Sequence, residues 1–218
     1  AMERRTSCRT YRPIPLESET VERLTQALPA NTTGPFGNRI RFALIHTDRL
    51  DPAGLRPPGT YGVIKGARQF LAGAVPDTPR AMEDYGYCME RIILAATALG
   101  LGTCWLGGTF HRTRFAGLMH LEAGELLPAV SPVGYASDQR SLRERAMRFG
   151  AGSDRRKPWG DLFYEGDSSV PLTKAAAGDY ATPLDCVRIA PSAANKQPWR
   201  IIRDRGAYHF YLKRTPGY

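Results

Sequence analysis

The decapeptide APSAANKQPW, Ala190–Trp199, is the stretch on which the reading of this chain turns. Pro191 and Pro198 each fix φ and remove a backbone donor, so the segment is stiff and cannot extend a helix. Ser192, Ala193 and Ala194 are small enough for a flat ligand to lie close to the backbone. Asn195 and Gln197 each add an amide donor and an amide acceptor. Together they complement a uracil-like edge, with its alternating carbonyls and N–H. A plain helix-to-strand loop would also use prolines, but three small residues and two amides beside Trp199 favour a ligand.

Outward from this loop, Pro183–Ile189 is predicted to be a short helix that breaks at Ala190-Pro191. Trp199–Arg203 and Ala207–Lys213 form a hairpin around Asp204-Arg205-Gly206. Residues 160–173 read as a linker. Residues 138–157 are strongly basic: Arg140, Arg143, Arg145 and Arg148 fall partly at helical spacing, and a solvated helix face is the plainer reading. Arg155, Arg156 and Lys157 precede Pro158-Trp159 and could reach a phosphate. The central helix, Met82–Leu99, places Tyr85, Cys88, Met89, Ile92, Ile93 and Ala96 at a 3.6-residue period and ends at Gly100 and Gly102. In GLGTCWLGGTF, Gly100–Phe110, the glycines either cap that helix or let backbone N–H groups approach a ligand; both readings stand. Strands are predicted at Arg39–His46, Gln69–Val75 and Ala129–Tyr135, loops at 31–38 and 54–62, and a first helix at Leu16–Leu28. Helices and strands mix without strict alternation, which favours an α+β layered fold.

At the other end, RTSCRTY, Arg5–Tyr11, alternates Arg5, Ser7 and Arg9, so an extended backbone turns all three toward one anion. Read alone, it fits a solvated basic terminus more simply. The 218 residues carry 30 Lys+Arg against 21 Asp+Glu, a net charge of +9, which suits an anionic ligand and says nothing about fold. Cys8, Cys88, Cys104 and Cys186 are widely spaced and are expected to be reduced thiols in a cytoplasmic protein. His46, His111, His120 and His209 show no metal-ligand spacing, and no metal is expected. The uncharged run from Ile92 to Phe110 is broken by four glycines, so it reads as a buried helix entering a glycine loop rather than a membrane span. No helix-turn-helix, RNP or zinc signature supports nucleic-acid binding.

Taken together, RTSCRTY, ERIILAATALGLGTCWLGG, SPVGYA (Ser131–Ala136), RRKPWGDLF (Arg155–Phe163) and APSAANKQPWR resemble the FMN-dependent nitroreductase superfamily. The resemblance implies a three-layer α/β/α fold of the α+β class. It implies that Arg5, Ser7 and Arg9 hold the FMN phosphate, with Arg156 and Lys157 as helpers. It places Pro191, Ser192, Ala193, Asn195 and Gln197 along the isoalloxazine, and gives backbone contacts at flavin N5 to Leu106, Gly107 and Gly108. The chemistry implied is two-electron transfer from NADH or NADPH to a small acceptor such as a nitroaromatic or quinone. Alternatives are a flavin sensor or carrier with little turnover, or another flavin reaction of the superfamily. Because the flavin performs the hydride chemistry, no catalytic acid or base is named.

The sequence departs from the superfamily pattern in one respect. The amide-rich loop is expected soon after the Arg/Ser motif, but that place is held by PANTTGPFGNRIRF, and the intact loop comes near the far end. The order helix, Pro-containing polar loop, apolar strand occurs at Val21–His46 and again at Leu184–Arg203. The chain therefore resembles the internally duplicated branch, a pseudo-dimer holding one FMN between the two end motifs. It would be a single domain with pseudo-halves of about 1–165 and 166–218, the second incomplete after Tyr218. It would act as a monomer or a homodimer, with no membrane or nucleic-acid partner.

Overall fold

The protein is described by a computed structural model that covers residues 1–46, 59–139, 141–153 and 155–215. Arg140, most of the 54–62 loop and Tyr218 lie outside the described residues. The chain divides into two compact units, Glu3–Glu144 and Arg145–Tyr218. The pseudo-halves expected from sequence divide near 165, inside the second unit.

The first unit contains α1 (Ser18–Ala27), β1 (Arg41–His46), β2 (Gln69–Pro76), α2 (Ala81–Ala98), β3 (Gly102–Thr103), α3 (Arg112–Leu118), β4 (Glu125–Leu126) and β5 (Val130–Gly134). An antiparallel sheet runs in the order β1-β2-β5-β3, with β4 on β2. β2 is buried along nearly its whole length, and its side chains alternate between two cores. Leu71 and Val75 join Leu24 of α1 and Tyr85, Met89, Ile92, Ile93 and Ala96 of α2. Phe70, Ala72 and Ala74 join Phe115 of α3, Met119, Tyr11 and Leu106. This unit is thus three-layered, helices on one face and α3 with the N-terminal segment on the other. The apolar period read from the sequence identified the α2 face correctly, since all of its cited residues are buried.

The helix α4 (Leu142–Gly150) carries the unit boundary, and the second unit continues with β6 (Phe163–Glu165), α5 (Lys174–Ala177), α6 (Ala181–Ile189), β7 (Trp199–Asp204) and β8 (Ala207–Leu212). β6 pairs parallel with β7, and β7 antiparallel with β8. The hairpin turn is the expected one, Arg205 and Gly206 both having positive φ. The linker expected at 160–173 is corrected: Leu162, Phe163 and Leu172 are buried and pack with Ala177, Leu184 and Ile201. The error has a physical origin. β6 is three residues long and pairs with a strand distant in sequence, so no local period announces it, while the glycine and acidic residues around it signal a loop.

The order helix, single 3-10 turn, strand occurs in both units, as α1, Pro29–Asn31, β1 and as α6, Ala193–Asn195, β7. No helix among the described residues is long and apolar enough to cross a membrane, and no described cluster of His, Cys, Asp and Glu could hold a metal.

Candidate functional site

In the first unit, Ser7 bridges in parallel to Thr103, and the Cys8 N–H donates to Thr103 O at 2.8 Å. This extended pairing turns Arg5, Ser7 and Arg9 to one side, where all three act on Cys104. Burial raises the Cys104 thiol above its ordinary range, while Arg9, the Ser7 hydrogen bond and Arg5 oppose the rise. Neighbouring Cys8 is pushed up to about 11, by burial and then by the Glu144 carboxylate. Neither thiol is an activated nucleophile.

The Arg5 side chain is 6% exposed, with Nε 3.7 Å from Glu90 Oε1. Glu90 Oε2 accepts from the Trp105 indole N–H at 2.6 Å. Burial raises the Glu90 carboxyl, against the Trp105 bond and the Arg5 charge. Among the described residues, Arg5 Nη1 and Arg9 Nε and Nη1 are buried without a hydrogen-bond partner. Buried guanidinium donors left unpaired are costly unless an anion meets them.

This segment is tied to the start of α4. Glu144, 3% exposed, accepts from Thr10 Oγ1 at 2.7 Å and from the Arg9 N–H at 3.3 Å. The Glu144 N–H donates to Ser141 Oγ at 3.2 Å, and the Ser141 N–H to Thr10 Oγ1 at 3.2 Å. A Glu144→Ala chain loses this closure, and we expect its unfolding free energy to fall by about 2 kcal/mol, with Glu144→Gln retaining most of it. Urea denaturation followed by circular dichroism measures both, and equal losses for the two variants would contradict the hydrogen-bond account.

Leu106, expected to contact flavin N5 through its backbone, has that backbone paired with Val130. Its N–H donates to Val130 O at 2.9 Å, its carbonyl accepts from Val130 at 3.0 Å, and the residue is buried. Gly107 and Gly108 remain exposed, and a Cβ at either position would meet nothing within 4 Å. The space beside their backbone is open to a ligand. Arg112 fixes this turn, donating to Gly107 O at 3.0 Å and to Leu127 O while its guanidinium stacks 5.0 Å from the Phe110 ring centroid.

In the second unit, the 190–199 loop is a strained turn. Ala194, Asn195 and Gln197 have φ of 45°, 54° and 48°, a region that side chains occupy at a cost. The amides that suggested a ring edge are engaged within the unit. Asn195 Nδ2 donates to Gly152 O at 2.7 Å and Arg155 O at 2.9 Å, and its Oδ1 accepts from Arg156 Nη1 at 3.1 Å. Gln197 is buried; its Oε1 accepts from the Lys157 N–H at 2.8 Å and its N–H donates to Ser192 Oγ at 2.9 Å. To reach a flavin, these amides would exchange partners. Pro191 and Ser192 are half-buried, and Ala193 is exposed.

The sequence matches the protein family described as "Putative TM nitroreductase" over residues 1–216. The chain belongs to this nitroreductase family. No curated protein matches it. Among solved structures, a nitroreductase from Thermotoga maritima is similar with a TM-score of 0.58 at 17% identity, over 98% of this chain and 74% of that one. A nitroreductase with bound FMN from Desulfitobacterium hafniense aligns with a TM-score of 0.50 at 18% identity, over 63% of this chain and 87% of that one. A nitroreductase family protein from Clostridium novyi gives 0.50 at 15% identity, over 63% and 83%. At these identities the likeness is one of fold, and it places the chain in the nitroreductase α+β class.

In the first unit, Arg5, Ser7 and Arg9 lie on one side of the segment that pairs with Thr103. Sequence reading missed Glu90, Trp105, Arg112 and Glu144. Glu90 carried one signal, an acidic residue set inside the apolar period of α2. Arg112 and Glu144 carried none, because what they hold lies far away in sequence or is backbone.

Proposed function

We propose that this chain binds FMN and acts as an NAD(P)H-dependent oxidoreductase, passing two electrons to a small acceptor such as a nitroaromatic or quinone. The observation that carries the reading is the trio of partnerless guanidinium nitrogens on Arg5 and Arg9 beside Ser7. A phosphate dianion is the group that such forks and a hydroxyl bind best. FMN supplies the hydride chemistry when bound. Arg5, Ser7 and Arg9 hold its phosphate, and Gly107 and Gly108 present backbone toward the ring, with Arg112 keeping their turn in place. By family resemblance, the Pro191, Ser192, Ala193, Asn195 and Gln197 loop lies along the isoalloxazine, with Arg156 and Lys157 as further phosphate contacts. Because the chain carries one Arg/Ser motif, one FMN per chain is proposed, on an internally duplicated chain working as a monomer or homodimer in the cytoplasm.

The test is spectroscopic. Purified or FMN-reconstituted protein is expected to show flavin absorption at one FMN per chain. Anaerobic NADH or NADPH then bleaches it, and a nitroaromatic or quinone restores the colour. No flavin uptake from excess FMN overturns the reading. Uptake without reduction by either nicotinamide leaves a flavin sensor or carrier in its place.

A further inference from the structure

The three-stranded sheet of the second unit has two edges, and the chain treats them differently. At β6 it closes its own edge: Tyr164 bridges to Pro171, the Glu165 N–H donates to Val170 O at 2.8 Å, and the Leu172 N–H donates to Phe163 O at 3.0 Å. β8 is the other edge, and no described strand pairs with its outer side. It also lacks the devices that usually protect an edge. Ala207–Leu212 contains no proline and no Lys, Arg, Asp or Glu, and its register with β7 runs without a bulge.

The register fixes which backbone groups are free. Asp204 pairs with Ala207 at the turn, and one step beyond β8 the Lys213 N–H donates to Pro198 O at 2.7 Å. Bonded pairs alternate in an antiparallel ladder, so Ala207, His209, Tyr211 and Lys213 turn their backbone toward β7. Tyr208, Phe210 and Leu212 turn theirs outward. The same three residues stand opposite Arg203, Ile201 and Trp199, on the face that carries the core of the unit. Tyr208 packs against that core, yet Phe210 and Leu212 are each 67% exposed. A free ladder edge and an uncovered apolar strip coincide.

We propose that β8 pairs antiparallel with β8 of a second copy of this chain, joining the two sheets into one. An extended strand is the partner that satisfies an outward backbone and an apolar strip together. The strand fits itself. With Phe210 opposite Phe210 of the second copy, Tyr208 falls opposite Leu212, and every outward residue meets an outward residue. This register sets Lys213 against Ala207 and Arg205 against Thr215, so no two cations face each other. A slide that puts His209 opposite itself would set Arg205 against Lys213. In the favoured register the two apolar strips lie side by side and shield each other from water. One strand pair is a small interface, so the dimer depends on concentration.

Sedimentation velocity of the full chain over a range of concentrations tests the pairing, and no readout in it depends on flavin. Phe210 is exposed, and Phe210→Lys and Phe210→Glu are expected to keep the circular dichroism spectrum of the parent. The parent is expected to dimerise, and each variant alone to weaken the dimer tenfold or more, because like charges then stand directly opposite. An equal mixture of the two variants is expected to recover it, since Lys then faces Glu. In the parent, hydrogen exchange at the Phe210 and Leu212 amides should slow as the dimer forms. A parent that stays monomeric up to about 0.1 mM would leave the edge to a strand of another protein and overturn the proposal. So would a dimer that Phe210→Lys changes less than twofold, a mixture no better than either variant, or exchange that does not slow.

Discussion

An Asp84→Ala chain is expected to lose about 3–5 kcal/mol of unfolding free energy, a large share of what a domain of this size has. Asp84 sits in the first turn of α2 and is fully buried. Its carboxylate accepts from the Phe36 N–H at 2.8 Å, the Asn38 N–H at 2.8 Å and Asn38 Nδ2 at 2.9 Å. It is thereby the anchor of the 34–38 turn. The fit leaves no slack: a Cβ on Gly34 would lie 2.2 Å from Asp84 Oδ1. Truncation leaves buried donors without acceptors, and these account for most of the loss.

The pH dependence follows from the same contacts. Burial works to raise the Asp84 carboxyl, but the three N–H donors outweigh it and hold the folded-state pKa below its ordinary value. Between the two pKa values the unfolded chain binds more protons, so stability rises with pH there. The Asp84 contribution is complete above about pH 5 and declines as pH falls through the folded value. Urea midpoints of the parent and Asp84→Asn from pH 7 to pH 3 measure it. The gap between the two chains should narrow in acid. A gap that stays constant, or an Asp84→Ala loss below about 1 kcal/mol, would refute the anchor.

The largest expected effect on binding belongs to Arg9. Charge-assisted bonds to a phosphate contribute about 1.5–3 kcal/mol each, so Arg9→Ala should weaken FMN by about tenfold or more. Arg5→Ala should cost less. Arg9 has two buried nitrogens without partners and Arg5 one, and Arg5 is already drawn to Glu90. The double variant should lose the product of the two single losses if the two act independently. Riboflavin, which lacks the phosphate, should bind all these variants as it binds the parent. Fluorescence titration with both flavins decides it, and equal losses for FMN and riboflavin would show that the arginines serve the fold.

How much of this was legible beforehand depended on how local the signal was. The α2 helix announced itself because seven of its residues fall into one core at a regular period. The β7–β8 hairpin did so through Asp204-Arg205-Gly206, a turn whose φ values favour glycine. The Arg5, Ser7, Arg9 alternation could be read as one face of an extended segment before its partner at Thr103 was known. By contrast, β6 is stabilised by a strand far along the chain and has no pattern of its own. Asn195 and Gln197 were recognised as special, yet their amides serve the backbone between Gly152 and Lys157. A pair of amides in a tight loop reads the same way whether it faces a ring or a carbonyl, and only the fold tells which one is near.

The bond between Thr10 and Glu144, which spans 134 positions of sequence, also bears on the order of events during synthesis. Arg5 and Arg9 are made well before their pairing strand near Thr103 and before the carboxylate that accepts from Thr10. At about 5–20 residues per second, the segment waits roughly 7–27 s for Glu144 to be made. A nascent chain arrested before that point therefore displays the arginines without the enclosure that aligns them. On the proposed reading, tight phosphate binding begins only when the first unit can close.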